Sequence, residues 1–359
     1  MINVTRPFLP PLEEYESLVR QIWDRAWLTN NGPFVIELER QLRDYLRLEN
    51  LLFLGNGTIA IQIAIKSLDL KGEIITTPFS YVATTSTILW ENCHPVFVDI
   101  DKASLNIDPK KIEDAITDET SAILATHVYG NPCEVDAINE IAEKHDLKVI
   151  YDAAHCFGTK YKGKSILSYG DISTISFHAT KLFHTTEGGA IICRDDEINL
   201  RLEKLRNFGH DGPAKFAAVG INGKNSELHA AMGLVNLRYI DEILDRRKKQ
   251  YLRYQDCLMD TSLDFITITD NTEFNYAYCP VIFESEEHLI ETEKVLNEHQ
   301  INPRRYFFPS LNKLEYLQEN QYCPIAESVS PRIMCLPVYH DLENKDIDRI
   351  CSLINKVLN

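Results

Sequence analysis

The strongest constraint on the fold of this chain is the alternation of short apolar runs with segments of helical periodicity. Two amphipathic segments, 12–28 and 34–46, open the chain, and the alternation follows them. The apolar runs are residues 51–54, 73–76, 95–100, 121–128, 148–151, 172–177 and 189–193. Helical spacing occurs between them at residues 58–68, 82–91, 109–116, 134–145 and 195–207. This alternation predicts an α/β fold with a mostly parallel sheet, whose ligands bind at the carboxyl ends of the strands.

The C-terminal third predicts a second, smaller domain. A long helical stretch at residues 227–258 leads into segments typical of strands at 276–283 and 333–337 and of helices at 287–298 and 342–358. A chain of 359 residues has room for one large and one smaller domain. We therefore expect a large domain at residues 1–245 and a small α+β domain at 246–359.

Charge and composition exclude several classes of partner. A net charge of -16 argues against binding to nucleic acid or to an anionic membrane surface. The N-terminus lacks a secretory pattern, and no apolar stretch reaches the roughly 18 residues of a membrane helix, so we expect a cytoplasmic protein. The nine cysteines form no CxxC pair, which favours buried thiols over a disulfide framework or a zinc site.

A glycine-rich turn, Gly55-Asn56-Gly57-Thr58, separates the first apolar run from a helical segment. Backbone N–H groups and the positive end of a helix dipole at such a turn suit a phosphate, and the Thr58 hydroxyl adds a donor. A tight turn with Thr58 as an ordinary N-cap explains the motif equally well. The third glycine of the dinucleotide pattern GxGxxG is missing, so that interpretation is weaker.

Asp152 and His155 follow the apolar run 148–151 in the motif DAAH. A buried acid at the end of a parallel strand requires a partner, and a protonated pyridine nitrogen is a suitable one. The alternative is that Asp152 caps the next helix and His155 is a hydrogen-bonded core residue. For His155 taken alone, this alternative is the better one.

Lys181 lies just beyond the run 172–177, in a hydroxyl-rich segment that Gly188 and Gly189 close. This setting favours a Schiff base on an amine whose pKa is lowered by its surroundings. The nearby Ser176 hydroxyl is placed to reach a phosphate. Most lysines are solvated surface groups, so only this context distinguishes Lys181.

Tyr81, in the motif PFSY, follows the run 73–76. An aromatic side chain near a strand end can stack on a flat cofactor ring. Taken alone, a buried core aromatic is the better explanation.

Nine motifs in order carry a family resemblance over nearly the whole chain: GNGT, PFSYVAT, PVFVDID, THVYGNP, VIYDAAHCFG, SFHATKLFHTTEGGA, LRNFGHDG, GINGKNSELHAAMG and LPVYHDL. In this order they resemble the DegT/StrS family of sugar-nucleotide aminotransferases. The resemblance implies a homodimer that binds pyridoxal 5'-phosphate (PLP) and has the fold type I architecture of PLP-dependent transferases. No metal is implied.

The same resemblance implies roles for individual residues. Lys181 would carry PLP as a Schiff base, Asp152 would pair with the pyridine nitrogen, and His155 would lie near the phenolic oxygen. The phosphate would be held by Gly57, Thr58 and Ser176, while Tyr81 would stack on the ring. Asn222 would reach the cofactor phosphate of the neighbouring subunit, so that the active sites are shared across the dimer.

The implied reaction moves the amino group of glutamate, through pyridoxamine 5'-phosphate, to the C4 keto group of a nucleotide-linked 4-keto-6-deoxyhexose. The expected substrate is dTDP-4-keto-6-deoxyglucose, for surface polysaccharide or other amino-sugar biosynthesis. Lys181 favours transamination over the sugar dehydration of relatives with histidine there. Alternatives are a UDP-linked or 3-keto sugar substrate, or a non-catalytic regulatory protein on the same fold. An NAD-dependent oxidoreductase is the weakest alternative, because its glycine pattern is incomplete.

Overall fold

The computed structural model describes residues 1–317 and 321–358. Its α-helices within these residues are α1 Leu12–Arg25, α2 Pro33–Leu46, α3 Gly57–Ser67, α4 Val82–Trp90, α5 Val135–His145, α6 Asp196–Leu205, α7 Glu227–Leu237, α8 Ile240–Leu258, α9 Glu286–Glu298, α10 Pro324–Val329 and α11 Asn344–Leu358. Its strands are β1 Ile2–Asn3, β2 Leu52–Leu54, β3 Glu73–Thr76, β4 His94–Phe97, β5 Thr120–Thr126, β6 Lys148–Asp152, β7 Lys160–Tyr161, β8 Lys164–Ser165, β9 Ile172–Ser176, β10 Gly189–Cys193, β11 Asp264–Phe265, β12 Thr272–Glu273, β13 Cys279–Ile282, β14 Ile301–Asn302 and β15 Ile333–Leu336.

A seven-stranded sheet in the order β2-β10-β9-β6-β5-β3-β4 forms the centre of the molecule. Its pairs are parallel except the two made by β10, which is antiparallel to β2 and to β9. Most residues of these strands are buried, as expected for strands covered on both faces. The prediction of a mostly parallel sheet is confirmed.

The antiparallel strand β10 follows from the connection that precedes it. Residues 177–188 lead from the carboxyl end of β9 to the start of β10 without a helix, and a parallel pairing would need a longer crossover. Phe177 N donates to Gly188 O, and Thr185 N donates to Phe177 O, so the connection is closed on itself. Lys181 is therefore held at the carboxyl edge of the sheet.

A second hydrophobic core lies under the three-stranded antiparallel sheet β11-β13-β15. Its residues come from the second half of α8, from α9 and from α11, while Ile240 near the start of α8 packs in the main core. The boundary predicted between residues 245 and 246 falls within α8, and the division into two domains stays a proposal. The strand β1 pairs with β14 and adds Ile2 to the second core.

Two predicted helices differ from the structure. Residues 109–116 form two short 3-10 turns, Pro109–Lys111 and Glu113–Ala115, because a segment this short with one buried side chain, Ile112, does not repay helix nucleation. The stretch 227–258 is two helices, α7 and α8. Arg238 and Tyr239, at the break, both donate hydrogen bonds to Glu14 of α1.

The nine cysteines are free thiols, all buried except the half-buried Cys257, so the prediction of buried thiols is confirmed. Every helix within the described residues is too short or too polar to cross a membrane.

Candidate active site

A cavity of about 350 Å³ opens at the carboxyl edge of the central sheet, where β6 and β9 end. This volume is within the range of small-molecule sites. Of the predicted site residues, all except Asn222 line it: Gly57, Thr58, Tyr81, Asp152, His155, Ser176 and Lys181. A larger depression of about 780 Å³, between Tyr45 and Lys248, contains none of them. The chemical groups rather than the size of the depression identify the candidate site.

Lys181 is half-buried in the connection between β9 and β10. Its Nζ atom donates a hydrogen bond to the Tyr278 hydroxyl at 3.3 Å. Burial lowers the pKa of the Lys181 amine, while nearby Tyr306 and Asp152 raise it by a smaller amount. A lowered amine pKa makes the unprotonated form, which is the nucleophile, more accessible near neutral pH.

Asp152 is the last residue of β6 and is almost completely buried. Its Oδ2 atom accepts a hydrogen bond from Thr84 Oγ1 at 2.7 Å, and its Oδ1 atom accepts one from Ala154 N at 3.1 Å. Burial raises the pKa of this carboxyl, and these donors together with Lys181 oppose the rise. The residues after Asp152 form turns, so the alternative in which Asp152 caps a helix is wrong.

His155 lies against a wall of aromatic rings. Its ring stacks on Phe307 at 5.8 Å between centroids and meets Tyr278 at 4.5 Å. Burial lowers the pKa of His155 well below its usual value, so the ring is neutral at physiological pH. Its buried Nδ1 atom has no hydrogen-bond partner within the described residues. An unsatisfied polar atom of this kind fits a ligand that supplies a donor or an acceptor.

The glycine-rich turn leads from β2 into the N-terminus of α3. Asn56 is the N-cap, since its side chain accepts a hydrogen bond from Ile59 N at 2.8 Å, so the alternative that makes Thr58 the N-cap is wrong. The N–H groups of Gly57 and Thr58 occupy positions where a helix supplies no acceptor. A Cβ atom on Gly57 would lie 3.1 Å from Ser176 Cβ, so glycine permits this close approach. The arrangement suits a phosphate group.

The two remaining predicted residues are more exposed. Tyr81 is 49% exposed at the mouth of the cavity, 6.2 Å from the Tyr306 ring, so the alternative that makes it a buried core aromatic is wrong. Asn222 is exposed and lies outside the cavity, where its Oδ1 atom accepts a hydrogen bond from Lys224 Nζ at 2.9 Å. Within one chain, Asn222 is therefore not part of this site.

The cavity contains residues that the sequence did not indicate. Arg304 and Tyr306 line it from the C-terminal part of the chain, more than 120 residues after Lys181. The guanidinium carbon of Arg304 lies 4.5 Å from the centre of the Tyr306 ring. The run of two arginines and three aromatics in RRYFFP is a signal that could have pointed to this segment.

The comparisons with known proteins agree over nearly the full length. The chain is 41% identical to dTDP-4-amino-4,6-dideoxy-D-glucose transaminase of Shigella dysenteriae and 40% identical to that of Escherichia coli, and the alignments cover 98–99% of each chain. A crystal structure of DesI, determined in the presence of its TDP-sugar product, superposes with a TM-score of 0.94 at 30% identity, covering 99% of this chain and 92% of DesI.

These likenesses confirm the expected fold, which is that of the fold type I PLP-dependent transferases. Residues 12–355 match the family model itself, and the chain belongs to the DegT/DnrJ/EryC1/StrS aminotransferase family.

Proposed function

We propose that this chain is a PLP-dependent transaminase that moves the amino group of glutamate onto the C4 keto group of dTDP-4-keto-6-deoxyglucose. The observation that carries the proposal is that Lys181 and Asp152, 29 residues apart in sequence, line one cavity at the carboxyl edge of the central sheet. The identity of 40–41% over nearly the full length to transaminases of dTDP-4-amino-4,6-dideoxy-D-glucose supports the choice of sugar.

The residues of the cavity fit PLP group by group. The N-terminus of α3, with Gly57, Thr58 and the nearby Ser176, would hold the phosphate. Asp152 would face the pyridine nitrogen, and the unsatisfied Nδ1 atom of His155 would serve a polar substituent of the ring. When bound, the cofactor supplies an electron sink for the negative charge that develops during amino transfer.

Lys181 is the proposed acid and base of the reaction. Its amine would take a proton from the α-carbon of glutamate in the first half-reaction and deliver a proton to C4 of the sugar in the second. Burial lowers the pKa of this amine towards neutral pH, where a general acid and base is most effective. Asp152 would keep the ring nitrogen protonated.

A homodimer would complete the site. Asn222 is exposed and lies outside the cavity of its own chain, which is the placement expected of a residue that reaches the cofactor phosphate of a partner subunit. Gel filtration with light scattering on the purified protein would measure the oligomeric state. Asn222→Ala should weaken PLP binding in a dimeric protein, and a monomeric wild type would contradict this assignment.

The decisive experiment compares wild type with Lys181→Ala, using glutamate and a panel of dTDP- and UDP-linked 4-keto and 3-keto sugars. Wild type should bind PLP as a yellow, borohydride-reducible chromophore and aminate the dTDP-linked 4-keto sugar, while Lys181→Ala should lose turnover by about a hundred- to ten-thousandfold, the usual contribution of a general acid and base. Lys162→Ala, at an exposed lysine paired with Asp136, is the control. A wild type that lacks the chromophore, or a Lys181→Ala variant with near-normal rate, would overturn the proposal.

A further inference from the structure

Three hydroxyl groups form a hydrogen-bonded chain that ends on the Asp152 carboxylate. Thr126 Oγ1 lies 2.9 Å from Ser80 Oγ, Ser80 Oγ lies 2.7 Å from Thr84 Oγ1, and Thr84 Oγ1 lies 2.7 Å from Asp152 Oδ2. All four residues are buried. They come from the end of β5, the loop before α4, the first turn of α4 and the end of β6.

Counting protons fixes the direction of this chain when Asp152 is ionised. A carboxylate only accepts hydrogen bonds, so Thr84 must donate to it. Thr84 has one hydroxyl proton and therefore accepts from Ser80. Ser80 in turn accepts from Thr126, so all three hydroxyls point towards Asp152. Hydrogen bonds aligned in this way strengthen one another in a low-dielectric interior.

The three aligned hydroxyl groups oppose the effect of burial on the pKa of Asp152. Burial favours the neutral carboxylic acid, whereas the Thr84 hydroxyl and Ala154 N–H favour the carboxylate. The titratable groups around Asp152 are Lys181, from the β9–β10 connection, and Cys156 and His155, from the turns after β6. Only Lys181 can supply positive charge near neutral pH, because burial keeps His155 neutral and the Cys156 thiol protonated.

We propose that Thr84, supported by Ser80 and Thr126, is a positioning residue whose hydroxyl binds the Asp152 carboxylate and holds it aimed into the cavity. The inference rests on the proposed function, in which Asp152 pairs with the pyridine nitrogen of PLP. Thr84 does not itself line the cavity, so its effect on the cofactor passes through Asp152.

The first test needs no cofactor. Thr84→Val replaces the hydroxyl with a methyl group of similar size, and its unfolding free energy is compared with that of wild type across pH in the apo-protein. The difference in unfolding free energy between wild type and Thr84→Val should be largest at pH values where Asp152 is ionised. It should narrow as the pH falls and Asp152 becomes protonated in both folded proteins, because a neutral acid has less need of the donor.

Thr87→Val is the matched control. Thr87 lies on the same helix and is equally buried, but its hydroxyl donates to the backbone oxygens of Ala83 and Thr84. The difference in unfolding free energy between wild type and Thr87→Val should not change over the same pH range. Thr84→Ser, which keeps the hydroxyl, should restore wild-type behaviour. If Thr84→Val does not fold, Ser80→Ala removes the next hydroxyl of the chain. The difference in unfolding free energy between Ser80→Ala and wild type should then have the same pH dependence and be smaller.

The second test measures PLP affinity and the pH dependence of the visible spectrum of bound PLP. Thr84→Val should bind PLP roughly ten- to a hundredfold more weakly than wild type at neutral pH, as expected for the loss of a hydrogen bond to a charged group. The pH midpoint of the spectral change should differ between Thr84→Val and wild type, whereas it should be the same in Thr87→Val and wild type.

The outcomes separate the two proposals. A wild type that does not bind PLP overturns the proposed function, while the pH dependence of the apo-protein still decides whether Thr84 binds the Asp152 carboxylate. A wild type that binds PLP, with Thr84→Val equal to Thr87→Val in affinity, spectrum and pH-dependent stability, overturns the role of Thr84 alone.

Discussion

Lys181 and Tyr278 join the two parts of the molecule at the candidate site, since the Lys181 amine donates to the Tyr278 hydroxyl at 3.3 Å. Lys181 lies in the connection between β9 and β10 of the central sheet, and Tyr278 lies one residue before β13 of the C-terminal sheet. Burial raises the pKa of Tyr278, so its hydroxyl remains protonated at neutral pH. The proposed catalytic amine is thus oriented by a neutral hydroxyl from the C-terminal part of the chain.

Removing this hydroxyl should slow the reaction without unfolding the protein. Tyr278→Phe keeps the ring that packs on His155 and loses the hydroxyl, which interacts with Lys181 and with Tyr306. We expect kcat to fall about three- to tenfold, the effect of one hydrogen bond. Steady-state kinetics measure the change, with Tyr276→Phe, at a partly buried ring packed against the second core, as the control. An unchanged kcat would show that Tyr278 does not orient the amine.

Arg304 should bind an anionic group of a substrate. Its side chain is exposed at the cavity and has no carboxylate partner within residues 1–317 and 321–358. Glutamate and a nucleotide sugar both carry anionic groups that a guanidinium binds strongly. Arg304→Gln should therefore raise KM about tenfold for one of the two substrates, and the wild-type affinity for that substrate should weaken with added salt.

Separate titrations of glutamate and the nucleotide sugar show which substrate Arg304 contacts. Arg349→Gln, on α11 and away from the cavity, controls for the loss of one surface charge. Unchanged KM values for both substrates would exclude the contact.

The sequence predicted the central sheet closely because buried parallel strands are continuous apolar runs. The strand β3 was predicted at its observed limits, and β6 and β9 each end within one residue of the prediction. The site residues that follow these strands could be predicted for the same reason, since the carboxyl ends of parallel strands meet at one edge. Lys181 and Asp152 could therefore each be placed at this edge, and the family resemblance assigned them to one site.

The remaining features depend on contacts between distant parts of the chain. The bond from Thr84 to Asp152 spans 68 residues, and Arg304 reaches the cavity from the C-terminal part. The break between α7 and α8 coincides with the contacts of Arg238 and Tyr239 with Glu14, more than 220 residues away. Local periodicity contains no information about such pairs.

Glu227 should stabilise the fold by capping α2 from a distance. Its buried carboxyl oxygens accept hydrogen bonds from Phe34 N and Val35 N, each at 2.9 Å, at a helix start where Gly32 offers no side-chain cap. Glu227→Gln turns one acceptor into a donor that faces an N–H group. We expect the unfolding free energy to fall by about 1–3 kcal/mol, the usual cost of an unsatisfied buried group.

Denaturant unfolding at a fixed protein concentration measures this loss. Glu291→Gln, at an exposed position of α9, makes the same chemical change where water can satisfy the new donor, so it should have little effect. Equal stabilities of the two variants would show that Glu227 does not cap α2.

His127 should make the fold sensitive to acid. Its ring is fully buried, stacks on Tyr151 at 4.4 Å and accepts a hydrogen bond from Cys133 N at Nδ1, and burial lowers its pKa to about 3. In the unfolded chain a histidine titrates near pH 6.5. Between about pH 6.5 and pH 3 the unfolded state therefore binds one proton more at this residue, and stability falls as the pH falls.

The expected slope from His127 is up to about 1.4 kcal/mol per pH unit within that window. The buried His155 and His184, whose pKa values are also lowered by burial, add to it. His127→Asn keeps an acceptor near the Nδ1 position but does not titrate. The slope of unfolding free energy against pH should therefore fall by up to about 1.4 kcal/mol per pH unit, which corresponds to one proton. Denaturant unfolding at several pH values from 7 to 4 measures this slope. An unchanged slope in His127→Asn would show that the wild-type imidazole takes up its proton within the folded protein.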